Sequence, residues 1–300
     1  FSPQHRQVLV QSLERQYAHL SQKPDFSSLL NENTFTVTTG HQLNIFTGPL
    51  YVIYKIVTTI NLARQLKAAY PKYDFVPVYW MATEDHDFDE ISYFNLFGKK
   101  YTWQTQQKGA VGRMNPRELG EALKILPERL PIFEKAYLRH DNLADAVRCY
   151  MNDLFGKDGL VCVDGDDAAL KRLFLPVIED ELKNSKAFDL VKNTTEAIES
   201  LGYHTQISPR EINFFYLADG LRERIVKEGD EYKALNSDIS FSETEILALA
   251  NEHPEQFSPN VVLRPLYQEI ILPNLAYIGG PSEVPYWMQL KGVFDHYQVP

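Results

Sequence analysis

The sequence has little cysteine, a deficit of positive charge and no long apolar run, and each shortage excludes a class of protein. Cys149 and Cys162 are the only cysteines among 300 residues, too few for a disulfide scaffold or a four-cysteine zinc site. Both sit in apolar patterns, as buried free thiols of a reducing compartment do, and neither reads as a nucleophile. With 30 basic against 40 acidic side chains the formal net charge is −10, which argues against broad attraction to nucleic acid or an anionic membrane. No apolar stretch approaches the ~18 to 20 residues that span a bilayer, and no charged and apolar leader opens the chain. The expectation is a soluble, cytoplasmic protein acting on small molecules, with no nucleic-acid or membrane partner. Sequence motifs are missing too. There is neither G-x-G-x-x-G nor G-K-[ST] for phosphates, and neither H-E-x-x-H nor C-x-x-C for a metal.

What is present is a globular composition, 44% hydrophobic and rich in aromatics, organised around residues 36 to 66. Thr36 to Thr39 is a β-branched run stopping at Gly40, which reads as a strand ending in a tight turn where a positive φ is needed. A polar loop carrying His41, Gln42 and Asn44 leads to Gly48-Pro49, with the proline just inside a helix start. Leu50, Ile53, Val57 and Ile60 follow at helical spacing. Strand, loop, helix is the arrangement that offers free N–H groups and a positive dipole end to an anionic ligand. The loop from Gly40 to Gly48 is therefore a candidate cradle, and an ordinary turn whose glycines serve geometry alone is the competing reading.

A second strand, Val76 to Ala82, is almost continuously apolar, as in a sheet covered on both faces. It completes a βαβ unit with a right-handed crossover. It runs straight into Glu84, Asp85, His86, Asp87, Asp89 and Glu90, six ionisable side chains in seven positions. Carboxylates beside an imidazole can orient it, tune it for proton transfer or hold a divalent cation. An acidic run opening a helix is also favourable for dipole reasons alone. Convergence of this run with the Gly40 loop at one sheet edge favours function.

Further on, residues 98 to 114 read as a hairpin inserted outside the parallel sheet, 142 to 154 as a helix and 159 to 163 as a strand before the Asp164-Gly165 turn. Residues 167 to 200 are helical with Pro176 as a kink or break. Short strands at 204 to 208, 214 to 218 and a hairpin over 222 to 235 read as a small α+β insertion, in which Arg210 and Arg264 are the cations to watch. Ser242 to Glu245 is a capping box opening a helix to about Glu252. Leu275 to Ile278, then Gly279, Gly280, Ser282 and Glu283, repeat the first architecture, with Ser282 as a natural N-cap.

With TTGHQLNIFTGPLY, VPVYWMATEDHDFDEI and AYIGGPSEVPYWMQLK in view, the chain resembles the BshC family, the cysteine ligases of bacillithiol biosynthesis. The likeness extends from about residue 30 to the end. It implies an α/β fold, with a Rossmann-like parallel-sheet core related to class I synthetases and nucleotidyltransferases and α+β connecting-peptide insertions. The expected division is 1–98 for the first half of the core, 99–258 for the insertions with part of the core, and 259–300 for the second half. A chain beginning at Phe1 and stopping at Pro300 reads as a fragment lacking the C-terminal coiled coil, through which the resemblance implies a homodimer. The implied reaction joins the carboxyl of cysteine to the amine of glucosaminyl-malate. His86, Asp85, Asp87 and His41 are the expected catalytic residues. Gly40, Gln42, Asn44, Gly48, Glu84, Gly279, Gly280, Ser282 and Glu283 are the expected substrate and nucleotide contacts, with no metal ligands. ATP with magnesium is a candidate activator rather than a tightly bound cofactor, although a K-M-S-K-S type loop is missing. A metal-dependent hydrolase built on Glu84 to Asp87 and a non-enzymatic binding or scaffold protein of the same pathway are the alternatives.

Overall fold

Residues 1–299 are described by a computed structural model, in which the chain divides into two compact units. The first, residues 1–165 with 273–278, begins with α1 (Pro3–Gln16), β1 (Thr34–His41), α2 (Leu50–Ala69) and β2 (Asp74–Met81). It continues through α3 (Phe88–Ile91), β3 (Tyr93–Leu96), β4 (Lys99–Thr102), α4 (Leu119–Lys124), α5 (Pro131–Arg139), α6 (Leu143–Phe155) and β5 (Val161–Asp164). The second unit, residues 166–272 and 279–300, holds α7 (Ala168–Asn184), α8 (Lys186–Ser200), β6 (Phe214–Ala218), β7 (Leu221–Glu228), β8 (Glu231–Ala234) and β9 (Ser240–Ser242). α9 (Glu243–Glu252), β10 (Phe257–Pro259) and α10 (Arg264–Ile271) complete its first segment. β11 (Asn274–Tyr277) returns to the first unit, and α11 (Glu283–Gln289) and α12 (Lys291–His296) belong to the second.

In the first unit a four-stranded parallel sheet runs in the order β11-β1-β2-β5. The two central strands are buried along most of their length, β2 through an apolar run and β1 through alternating and paired threonines around Phe35 and Val37, as a sheet covered by helices on its faces requires. Because every strand runs the same way, their C-terminal ends share one edge. His41 pairs with Met81, and Met81 pairs with Asp164. That edge is where ligands bind in open α/β sheets. The second unit carries a five-stranded antiparallel sheet, order β10-β6-β7-β8-β9. The ring of Phe174 on α7 meets Phe214 and Tyr267 there at 6.0 and 4.9 Å between centroids. The chain is thus α/β with a Rossmann-like core and an α+β portion.

Several local expectations are corrected. β1 does not stop at Gly40 but continues through His41, because Gly40 and His41 still pair with Trp80 and Met81. The left-handed backbone falls later, at Phe46 (φ 54°), Thr47 (φ 68°) and Gly48 (φ 63°). Pro49 is the N-cap of α2 rather than its first residue. Leu50 and Val57 are exposed, and Val52, Ile56, Ile60 and Ala63 form the buried face; apolar residues surround this helix, so its period does not choose the face. α7 continues through Pro176, and the break comes at Ser185 (φ 49°). The hairpin is Tyr93–Thr102, turning at Phe97 and Gly98, and the segment after it is irregular, with the Gln107 side chain paired to the backbone of Asn115. Residues 204–208 form no strand: the amides of Gln206 and Ile207 donate to Oε1 of Gln289 at 2.8 and 3.1 Å instead of to a ladder. The capping box at Ser242 and Glu245 forms as expected.

Candidate functional site

At the shared edge the two loops read from the sequence meet. Gln42, just past β1, donates through Nε2 to Oδ2 of Asp85, just past β2, at 2.6 Å. The other oxygen of Asp85 accepts the His86 amide at 2.7 Å and the Asp87 amide at 3.4 Å, and lies 3.5 Å from His86 Nδ1. The carboxylate therefore organises the turn from which the His86 ring projects, with 47% of that side chain exposed. Asp87 acts locally as the N-cap of α3, accepting from the Glu90 amide at 3.3 Å. Partial desolvation, followed by the negative charges of Asp87 and Asp85, pushes the Glu90 carboxyl up from its ordinary range. Glu84 is half-buried in the same turn.

His41 ends β1; its carbonyl accepts from the Ala82 amide at 3.2 Å, and its ring stands edge-on to Tyr51 at 6.0 Å. Beneath it the buried hydroxyl of Tyr79 donates to the carbonyls of His41 and Gln42 at 3.3 and 3.2 Å. Burial pushes that phenol well up, so it stays a donor across the physiological range. Gly40 contributes a carbonyl, which accepts from Lys55 Nζ at 2.6 Å. Asn44 is buried and braces the turn, donating to the Glu90 carbonyl at 2.9 Å. Gly48 packs against it so closely that an added Cβ would lie 2.4 Å from Asn44 Cβ. An aromatic nest holds the left-handed run that follows: Tyr137 Oη accepts the Phe46 amide at 2.7 Å, and Phe46 packs on Phe94 and Phe133. Non-glycine residues in that region cost ~1 to 3 kcal/mol each and persist only where surroundings over-determine them.

Gly279, Gly280, Ser282 and Glu283 lie in the second unit. Ser282 makes no side-chain cap, contrary to expectation. The Glu283 carboxylate folds back on the preceding turn, its Oε2 accepting the Gly280 amide at 2.6 Å.

Sequence reasoning misses the residues that support the loops. Lys55 is 4% exposed on α2; its place among Val52, Ile56 and Thr59 on one helical face is the available signal. Thr83 is buried, with Oγ1 donating to Oδ1 of Asp164 at the end of β5. Only strand pairing brings these two together, so no local pattern reveals it. Gly112 donates its amide to the Thr83 carbonyl at 2.8 Å, and Val111 donates to the Asp85 carbonyl at 2.7 Å. Both cysteines are buried and free, and burial raises the Cys149 thiol and pushes Cys162 up to about 12. Among the described residues no three His, Cys, Asp or Glu side chains are grouped to hold a metal ion. No described helix is long and apolar enough to cross a membrane.

The family described as "Bacillithiol biosynthesis BshC, N-terminal Rossmann-like domain" matches residues 2–300. Among curated proteins, the one named "Putative cysteine ligase BshC" from Flavobacterium psychrophilum is 54% identical across 98% of this chain and 58% of its own length. Its namesakes from Flavobacterium johnsoniae and Cytophaga hutchinsonii are 52% and 49% identical, across 98% and 99% of this chain and 58% of each relative. The chain thus spans a little over half the length of these relatives. Matched from residue 2 to residue 300 on a parallel sheet of the expected kind, it belongs to the BshC family and carries that family's N-terminal Rossmann-like domain.

Proposed function

We propose that this domain carries the reaction edge of a carbon–nitrogen ligase that joins the cysteine carboxyl to the amine of glucosaminyl-malate. The observation that carries the reading is the Gln42–Asp85 hydrogen bond, which draws the loops after β1 and β2 together and leaves the His86 ring exposed beside the bridge. The names of the relatives support ligation.

Amide formation needs a deprotonated amine and an activated carboxyl. His86 is the group suited to deprotonating the amine, because imidazole is the side chain most often used as a general base and this ring is exposed with Nδ1 3.5 Å from the Asp85 carboxylate. Asp85 holds the turn that carries the ring, and Gln42 holds Asp85. Glu90 and Asp87 add negative potential that attracts an ammonium group. Activation of the carboxyl is assigned to ATP with magnesium as co-substrate. The fit rests on the start of α2, a 20-residue helix with no side-chain cap, whose first-turn N–H groups and dipole suit a phosphate. Whole-protein partners follow the same reading: two small-molecule substrates, and a homodimer through the part of the family's length not represented here.

The test is mass spectrometry of the full-length enzyme given cysteine and glucosaminyl-malate, with and without ATP and magnesium. Product with AMP supports an adenylate, and product with ADP an acyl phosphate. His86→Ala is expected to lower turnover ~10² to 10⁴-fold, the usual worth of a placed general base. Wild-type turnover in that variant removes His86 from the mechanism, and sugar-malate binding with no turnover under any condition favours the scaffold alternative.

A further inference from the structure

We propose that Asp164 is a positioning residue for the loop of residues 84 to 87, acting through Thr83 and held in place by the buried guanidinium of Arg148. The role rests on the functional reading above, in which this loop performs the chemistry.

β5 is an edge strand of the parallel sheet, and Asp164 is its last residue, paired with Met81 of β2. An edge residue has backbone groups open to solvent or to another chain. Here the side chain of Gln16 occupies them: Nε2 donates to the Asp164 carbonyl at 2.9 Å and Oε1 accepts the Asp164 amide at 3.0 Å. One glutamine amide thus stands where a neighbouring peptide would, and it locks the backbone of this residue.

The carboxylate is held as well. Arg148, on α6, is 1% exposed, and its Nη2 lies 3.7 Å from Oδ2 of Asp164, whose side chain is 14% exposed. Arg148 also bonds Asp145 and donates to the Gln16 carbonyl at 3.1 Å. A buried arginine left without carboxylates is strongly unfavourable, so this set holds together as a unit. Removing the Asp164 charge alone still leaves Asp145 against Arg148.

The other oxygen of the Asp164 carboxylate, Oδ1, accepts from Thr83 Oγ1. Thr83 is 1% exposed and is the residue immediately before the Glu84–Asp87 turn. Its carbonyl is clamped from the other side by the Gly112 amide at 2.8 Å. Thr83 is consequently the hinge pin of the turn, gripped at its side chain by β5 and at its backbone by Gly112. A strand-end carboxylate thus fixes where the turn carrying Asp85 and His86 begins.

The test uses full-length protein and two readouts: steady-state turnover, and amide hydrogen exchange of residues 83–88. Thr83→Val keeps the shape and removes the hydroxyl, Thr83→Ser restores it, and Asp164→Asn keeps an acceptor while removing the charge. In Thr83→Val, exchange over 83–88 is expected to accelerate at least about 10-fold, and kcat to fall about 10- to 100-fold with KM for cysteine little changed, as a misplacement near 1 Å does. Thr83→Ser is expected to recover most of both, and Asp164→Asn to fall between. Unchanged protection over 83–88 in Thr83→Val overturns the proposal. So does accelerated exchange with full turnover, or failure of serine to rescue. Should wild-type protein make no product at all, the functional reading fails by itself, and the exchange readout still decides whether Asp164 and Thr83 hold the loop.

Discussion

Gly112→Ala is the sharpest probe of how the 83–87 turn is held. A Cβ at this position would lie 2.6 Å from Thr83 Cβ, 2.8 Å from its carbonyl oxygen and 2.9 Å from its Cα. Two of those atoms are backbone, so no side-chain rotation relieves the overlap. Ordinary contact begins near 3.4 Å, and the two segments must part by about 0.8 Å. Overpacking of this kind costs ~1 to 3 kcal/mol. The separation also stretches the Gly112–Thr83 and Val111–Asp85 backbone bonds of 2.8 and 2.7 Å, each worth ~0.5 to 1.5 kcal/mol. A loss of ~2 to 6 kcal/mol in urea unfolding is expected, and turnover should fall about 100-fold because Asp85 and His86 move with the turn. Gly98→Ala is the control. Gly98 has φ +76° with nothing within 4 Å of an added Cβ, so it should lose ~1 to 2 kcal/mol through backbone conformation alone and keep its turnover. A Gly112→Ala protein with wild-type unfolding midpoint and wild-type turnover would refute the packing argument.

Two further outcomes follow from buried titratable groups. Neither Cys149 nor Cys162 should react with iodoacetamide at about pH 8 while the protein is folded, since burial raises both thiols and holds Cys162 up at about 12; intact-mass analysis of native protein showing rapid single or double alkylation contradicts this. In the second unit, Glu181 is fully buried, and although Asn213 and Ala187 donate to it, desolvation dominates and raises its carboxyl above the unfolded value of 4.5. A raised carboxyl favours the protonated folded form, so its contribution to stability is complete below pH 4.5 and is lost as pH rises through the folded value. Hydrogen exchange of α7 should therefore show that this contribution weakens on going from pH 4.5 to about 7, and Glu181→Gln should flatten the trend; an identical pH dependence in both proteins rules it out.

Legibility in the sequence follows the range of the interaction responsible. β1, α2 and β2 are readable because a β-branched run, a helical spacing and a continuous apolar run are local signals. The face of α2 is not, since Leu50 and Val57 are as apolar as Val52 and Ile56 and only packing decides which meet the sheet. Pro176 reads as a break although α7 runs through it, whereas Ser185, where the chain does turn, carries no local signal beyond its type. At the site, the Glu84–Asp87 run and Gln42 stand out by composition. Lys55 and Gly112 do not, one being an ordinary charge on a helix and the other an ordinary glycine in a loop.

The sequence by itself determined the main elements of the parallel core, the family and the two loops that carry ionisable groups, because these depend on periodicity and on motifs along the chain; it did not determine the irregular segments at 103–114 and 204–208. Only the tertiary structure decided that Gln42 bonds Asp85, 43 residues away, and that Thr83 bonds Asp164, 81 residues away. Those contacts depend on the strand order β11-β1-β2-β5. That order is set by which buried faces fit together, a property of the whole core that no single stretch of sequence contains.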